Sequence, residues 1–208
     1  MKYPKISIVI PLYEVFDFLS ETISSCLSQD YPGEIEIILI DDCSPTSPKF
    51  IIEAFTKKND CIKFIQNEIN QGVIKTLNNA LSFLSGEFVI FLGQDDNLSP
   101  THVRSMHQSI TKHDAAMVWC NSIVIDNQGK FVRKSYNDLL QRIKTMFASF
   151  FISKSNFISS TGLMIDVSVL KKVGGYPEEF KNMGEWLLWI EIIFNYKISY
   201  NQTVKALY

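Results

Sequence analysis

Residues 87–100 read EFVIFLGQDDNLSP, a short apolar run closed by a glycine, an amide and two adjacent carboxylates. Such a run, rich in β-branched and aromatic residues and ended by a polar cluster, predicts a strand over residues 87–92. Asp95 and Asp96 then stand at its carboxyl end. Adjacent carboxylates repel unless a cation or hydrogen-bond donors compensate. An open rim with few oxygen ligands suits Mg²⁺ or Mn²⁺, which keep waters and share phosphate oxygens. The alternative for the pair is a turn that caps a helix starting near Pro100.

Working outward, the same unit recurs. Residues 6–10 (ISIVI) read as a strand buried on both faces, followed by helical spacing over 16–27. Residues 35–40 (IEIILI) read as a second strand ended by DDCSP, then a helix over 49–57 and a third strand over 62–65. A further helix opens at Gln71–Gly72 and runs to about Leu84. Strand, turn and helix thus repeat about four times before residue 100, which predicts an α/β fold: a mainly parallel sheet sandwiched by helices. In such sheets ligands bind outside the carboxyl ends of the strands. The polar loops fall there, at residues 11–14, 41–44 and 94–97.

The second half is less regular. Residues 115–120, 122–125 and 131–134 read as strands, with a turn over 126–130. Residues 139–156 read as a polar connection, 158–165 as a strand, 167–173 as a short helix and 184–196 as an apolar helix. No repeat or compositional break divides the chain. The expectation is a single domain over 1–208, with a regular half to about residue 113 and a small irregular half after it.

Composition narrows the class. The 208 residues are 46% apolar with a formal charge of −2, which supplies a core and argues against a nucleic-acid partner. No apolar run reaches the roughly 18 residues of a membrane span, and the first residues lack a signal peptide's apolar stretch. A cytoplasmic protein with reduced cysteines is expected.

Five blocks in order, ISIVIPLYE, SCLSQDYPGEIEIILIDDCSPT, NQGVIKTLNNAL, SGEFVIFLGQDDNLSP and VGGY…GEWLLWIEI, resemble the inverting family 2 glycosyltransferases of GT-A fold, from about Ile6 to Ile193. The resemblance implies a nucleotide-binding half over about 1–113 and an acceptor-binding half over about 114–208, a nucleotide-diphosphate sugar donor, UDP-linked, a Mn²⁺ or Mg²⁺ cofactor, and an acceptor that is a saccharide or a lipid-linked saccharide. It also implies work in cell-surface polysaccharide synthesis, with peripheral contact at the inner membrane face. Pro11, Tyr13 and Glu14 match the loop that packs on the base, Glu14 standing where the family has Asn. Asp42 matches the acid that holds the base, and Lys75 a basic position facing base or diphosphate. Asp95 matches the acid near the ribose and Asp96 the acid toward the metal, while Gly93 replaces the first acid of the family's signature. Fewer carboxylates there imply weaker metal binding.

The family places an acidic dipeptide after the GGY turn, and here it reads Gly184–Glu185. Glu185 is therefore the candidate base, since an acceptor hydroxyl must lose its proton as it attacks. Stabilisation of a helix N-terminus by this charge is compatible with that role. Trp186, Trp189 and Phe194 read as core residues, His102, His107 and His113 as surface residues, and SSTG (159–162) as a contact for donor sugar hydroxyls. The competing reading is a nucleotide-sugar-binding domain with little or no transfer. A metal-dependent phosphate hydrolase would need a DxD after the first strand, which is absent. The sequence stops within a strand-like segment where family members continue, which implies a C-terminally shortened chain.

Overall fold

The computed structural model describes residues 3–126, 130–134, 137–180 and 183–207. The first four strands are β1 (Ile6–Leu12), β2 (Ile35–Asp41), β3 (Ile62–Gln66) and β4 (Phe88–Phe91), separated by α1 (Leu19–Leu27), α2 (Lys49–Thr56) and α3 (Val73–Ala80). A two-residue strand β5 (Asn97–Leu98) and α4 (His102–His113) follow. The second half holds β6 (Met117–Ile125), β7 (Phe131–Lys134), α5 (Asp138–Met146), α6 (Ala148–Ile152), β8 (Met164–Asp166), α7 (Val167–Lys172), α8 (Gly184–Asn195) and β9 (Ile198–Leu207).

All nine strands join one sheet in the order β3-β2-β1-β4-β8-β6-β9-β5, with β7 added to β6. Pairing is parallel through β3-β2-β1-β4, as expected from the repeating units. Beyond β4 the sheet is mixed: β8 runs antiparallel to both β4 and β6, and β6 and β9 are parallel.

Alternation along the strands sends side chains to two cores. Ile8, Ile10, Ile37, Leu39 and Ile90 face α1 and α4, while Val9, Ile38, Ile40, Val89 and Phe91 face α3 and α8. At the amino end of β2 a buried carboxylate, Glu36, accepts hydrogen bonds from Ser7, Ser85 and Lys63. Those donors outweigh burial and pull its pKa down to about 2.

Several expectations change. The two strands predicted over 115–125 are one strand, β6, with a bulge between Cys120 and Asn121. Bulges break the alternation that sequence reading relies on. The connection over 139–156 is instead two helices, α5 capped by the Asn137 side chain accepting from the Leu139 and Leu140 N–H groups. Of the strand predicted over 158–165, only Met164 and Ile165 pair, within β8, because Gly162 adopts φ +72° and turns the preceding segment out of the sheet. Residues 127–129 of the turn predicted over 126–130 lie outside the described residues; its flanks hold together through Asp126 N–H to Lys130 O at 3.0 Å.

His102 and His107 are buried, which corrects their surface assignment, and His113 is exposed. Both buried histidines lie on the stripe Val103, Met106 and Ile110 that α4 turns to the sheet. Trp189 is core, Trp186 is half-buried, and Phe194 is 60% exposed rather than core.

Candidate active site

β1 is flanked by β2 on one side and β4 on the other, so the chain reverses its direction of travel across the sheet at β1. Such a switch point opens a crevice at the carboxyl ends of the strands. A cavity of about 410 Å³ lies there, lined by Pro11, Tyr13, Asp42, Gly72, Thr76 and Gln94 among others. A larger groove of about 690 Å³ under the turn at 174–180 is lined by Glu178, Glu179 and Glu191 and, among the described residues, by no basic side chain, which makes it a poorer diphosphate site.

The cavity walls are tied together by side chains at the strand ends. Gln94 clasps the loop after β1: its Oε1 accepts from Tyr13 N–H at 2.9 Å, and its Nε2 donates to the Tyr13 and Val15 carbonyls at 3.1 and 2.8 Å. Glu14 N–H donates to Ser44 Oγ at 3.1 Å, joining the loops after β1 and β2. Glu14 and Cys43 sit at φ 55° and 60°, a left-handed conformation that costs roughly 1–2 kcal/mol and persists where surroundings enforce it.

The adjacent carboxylates Asp41 and Asp42 divide their work. Asp41 is buried and accepts from Ser44 and Gln66, a turn-holding role. Asp42 accepts from Asn67 Nδ2 at 3.0 Å, Gln71 N–H at 2.9 Å and Gly72 N–H at 2.8 Å. A carboxylate offers about four acceptor positions, so one remains for a donor entering the cavity. Pro11, Tyr13 and Asp42 are thus brought together as expected. Glu14 is exposed at the loop's outer side, and Lys75 is exposed on α3 and is not among the residues that line the cavity.

Asp95 and Asp96 follow Gln94 on the same loop. Asp95 is exposed, whereas Asp96 is buried and accepts from Thr161 Oγ1 at 3.1 Å. Burial pushes the Asp96 carboxyl up to about 6; the charge of Asp95 adds to this, while hydrogen bonds from Thr161 and the Gly93 backbone oppose it. The neighbouring hydroxyl, Ser160 Oγ, donates to Glu185 Oε2 at 2.7 Å. One dipeptide therefore holds both acids, Asp96 from the end of β4 and Glu185 from the first turn of α8.

That loop is itself anchored. Gly162 N–H donates to Phe91 O at 3.3 Å, and Ser159 Oγ meets Ser122 Oγ at 2.7 Å. His102 Nε2 lies 2.6 Å from Gly162 O, and a carbonyl only accepts, so Nε2 carries the proton. Burial holds this imidazole neutral, with its pKa pushed down to about 4. SSTG thus bonds the acids, where the sequence suggested sugar hydroxyls. The sequence reading marked Gln94 only as part of the polar loop over 94–97 and assigned His102 to the surface, so the role of neither was found. For His102 the usable signal was its register on the buried stripe of α4.

The two glycines that stand in place of family acids have packing reasons. A side chain at Gly93 would begin 2.8 Å from Asp96 Oδ2 and 3.2 Å from Asp95 Oδ1. At Gly184 it would begin 2.8 Å from Ile74 Cδ1, where α8 closes on α3. The crowding at Gly93 also shows two carboxylate oxygens approaching one point. With a raised pKa on the buried member, that donor set fits a hard divalent cation completed by phosphate oxygens and water. Among the described residues no group of three or more His, Cys, Asp or Glu gathers to hold a metal by protein ligands alone.

Comparison with known proteins agrees with this geometry. The family model "Glycosyl transferase family 2" matches residues 7–174. The Escherichia coli UDP-Glc:alpha-D-GlcNAc-diphosphoundecaprenol beta-1,3-glucosyltransferase WfgD is 28% identical over 93% of this chain and 72% of its own length. Residues 1–349 of Staphylococcus aureus TarS, solved with UDP, superpose with a TM-score of 0.79 at 24% identity, over 98% of this chain and 60% of that one. The mannosyltransferase PcManGT from Pyrobaculum calidifontis, solved with GDP-Man and Mn²⁺, gives 0.77 at 15% identity, over all of this chain and 57% of that one. This chain therefore spans little more than half the length of those two solved chains. Their likeness establishes the expected GT-A-like α/β fold. The family match over residues 7–174 supplies the assignment: the chain belongs to glycosyl transferase family 2.

Proposed function

We propose that this chain, acting as one domain, transfers a sugar from a nucleotide-diphosphate donor, UDP-linked, to an acceptor hydroxyl with inversion, in cell-surface polysaccharide synthesis. The observation that carries the reading is the dipeptide Ser160–Thr161, which holds Glu185 and Asp96 together, Asp96 lying two residues after Gln94, which lines the cavity with Pro11, Tyr13 and Asp42. The UDP-glucose specificity in the name of the Escherichia coli relative, and its diphosphoundecaprenol-linked acceptor, support the donor and acceptor classes.

In this reading the base packs against Pro11 and Tyr13 and donates to the remaining acceptor position of Asp42. Asp95 lies toward the ribose, and the diphosphate toward Asp96. Asp95 and Asp96 would hold Mn²⁺ or Mg²⁺, which when bound supplies positive charge against the leaving diphosphate. Among the described residues only Ser160 hydrogen-bonds the Glu185 carboxylate, so its second oxygen is open to the acceptor. Glu185 takes the acceptor proton as the oxygen attacks the anomeric carbon. The C–O bond to the diphosphate breaks in the same displacement, so configuration inverts.

The test is a donor panel of UDP-glucose, UDP-N-acetylglucosamine and GDP-mannose with Mn²⁺ and a short-chain diphospholipid-linked N-acetylglucosamine acceptor. Acceptor-dependent UDP release, with a β-linked product by NMR, is expected. Tight UDP binding without product from any donor would instead establish the binding-domain alternative.

A further inference from the structure

Residues 130–154 carry six cations (Lys130, Arg133, Lys134, Arg142, Lys144, Lys154) and one carboxylate (Asp138), in a chain whose formal charge is −2. The same segment exposes Leu139, Leu140, Ile143, Met146, Phe147 and Phe150, which are 41–77% accessible. Together these two features describe a surface.

α5 is turned inside out. Its Gln141 is fully buried, and its Asp138 meets Tyr200 and Asn121 on the sheet. At about 100° per residue, Leu139, Leu140, Ile143 and Met146 fall within an arc of about 120° on the opposite side. Arg142 and Lys144 stand at the two edges of that arc, and the Lys144 ammonium also rests 5.8 Å from the Phe157 ring centroid. Phe147, at the junction of the two helices, and Phe150 in α6 add two further exposed rings next to that arc. A groove of about 650 Å³ runs beside Met146; among the described residues its basic lining is Lys112, His113 and Arg142, and no Asp or Glu lines it.

We propose that the α5–α6 face docks on an anionic lipid surface. Its apolar stripe enters the headgroup boundary while the flanking cations meet lipid phosphates. Among the described residues no helix is long and apolar enough to cross a membrane, so the contact lies in the plane of the interface. A second copy of the chain is a poorer occupant, because an isologous dimer would press two strongly cationic segments together. The face is also tied to the candidate base: Trp186, next to Glu185, donates Nε1–H to Ile152 O at the end of α6 at 2.8 Å. On the transferase reading, which this deepens, docking presents a lipid-linked acceptor on the side of α8 that carries Glu185.

The test is flotation of the 208-residue chain with vesicles of pure phosphatidylcholine, and with vesicles containing about one-third phosphatidylglycerol, at about 0.1 M salt. Binding to the anionic vesicles is expected to be at least about tenfold stronger. The double variant Phe147→Glu/Phe150→Glu, at exposed positions, should lose at least about tenfold of it. Arg142→Glu should weaken binding to anionic vesicles about fivefold or more and leave the phosphatidylcholine background unchanged. UDP titration runs alongside. Vesicle binding lost with UDP binding intact in the variants supports docking; loss of UDP binding and transfer with vesicle binding intact counts against the transferase reading alone. No preference for anionic vesicles, undiminished binding by the double variant, or a dimer that the double variant dissociates would overturn the proposal.

Discussion

Two carboxylates mark the difference between the halves of this molecule. Asp42 is fixed by three donors drawn from residues 67–72, all in the loop between β3 and α3. Glu185 is held by one hydroxyl, Ser160, 25 positions away, on a loop that depends in turn on His102 and Phe91. The first half builds its part of the site from repeating local units. The second assembles its part from long-range contacts, so the two parts should fail separately.

Substitutions that break one part and spare the other sharpen this contrast. Gly162→Val forces a β-branched residue to φ +72° and begins a side chain 2.8 Å from the His102 ring. A loss of about 3–4 kcal/mol in urea unfolding is expected. Transfer should fall further than the folded fraction, while folded protein still binds UDP by calorimetry.

Glu36→Ala strikes the opposite, amino end of β2. Removing a buried carboxylate that satisfies Ser7, Ser85 and Lys63 should cost about 3 kcal/mol. Transfer per folded molecule should not change, because Glu36 lies at the far end of the sheet from the cavity.

Acid tests both regions in sequence. His102 is held neutral with its pKa depressed to about 4, so the unfolded chain takes the proton first as pH drops below its ordinary 6.5. That linkage should remove about 2 kcal/mol of stability between pH 7 and 5, partly offset by Asp96, whose pKa is raised to about 6 so that the folded chain takes up its proton first. Glu36, depressed to about 2, contributes its stability above its ordinary 4.5 and loses it only as pH falls from there toward 2. Chemical unfolding at stepped pH should show the histidine phase shrink in His102→Gln, leaving the contribution of His107, whose pKa burial also lowers, and the lower phase.

Gly93→Asp has the smallest effect. A third carboxylate beside Asp95 and Asp96 should lower stability by about 1 kcal/mol without a cation. Mn²⁺ should recover it, by a shift in Tm larger than in the wild-type chain.

Legibility in the sequence followed the same division. Strands buried on both faces, such as ISIVI and IEIILI, announce themselves, and the polar residues at their ends mark Pro11, Tyr13, Asp42 and the Asp95–Asp96 pair. Glu185 was reachable only through family resemblance, because nothing local distinguishes it from a helix-start acid. His102 was hidden because a buried imidazole satisfied by a carbonyl looks, in one dimension, like a surface residue. α5 was hidden because its apolar face turns away from the core, so its periodicity pointed to no partner within the chain. The bulge in β6 and the left-handed Gly162 were hidden because both are set by contacts across the sheet.

In the proposed division of labour the first half would bind the nucleotide and Glu185 would take the acceptor proton. Its most direct test is Glu185→Gln, measured for UDP affinity by calorimetry and for transfer in the same preparation. The account predicts a transfer rate lower by at least about a hundredfold, with the UDP dissociation constant within about twofold of wild type. Unchanged transfer, or a parallel loss of UDP binding, would contradict it.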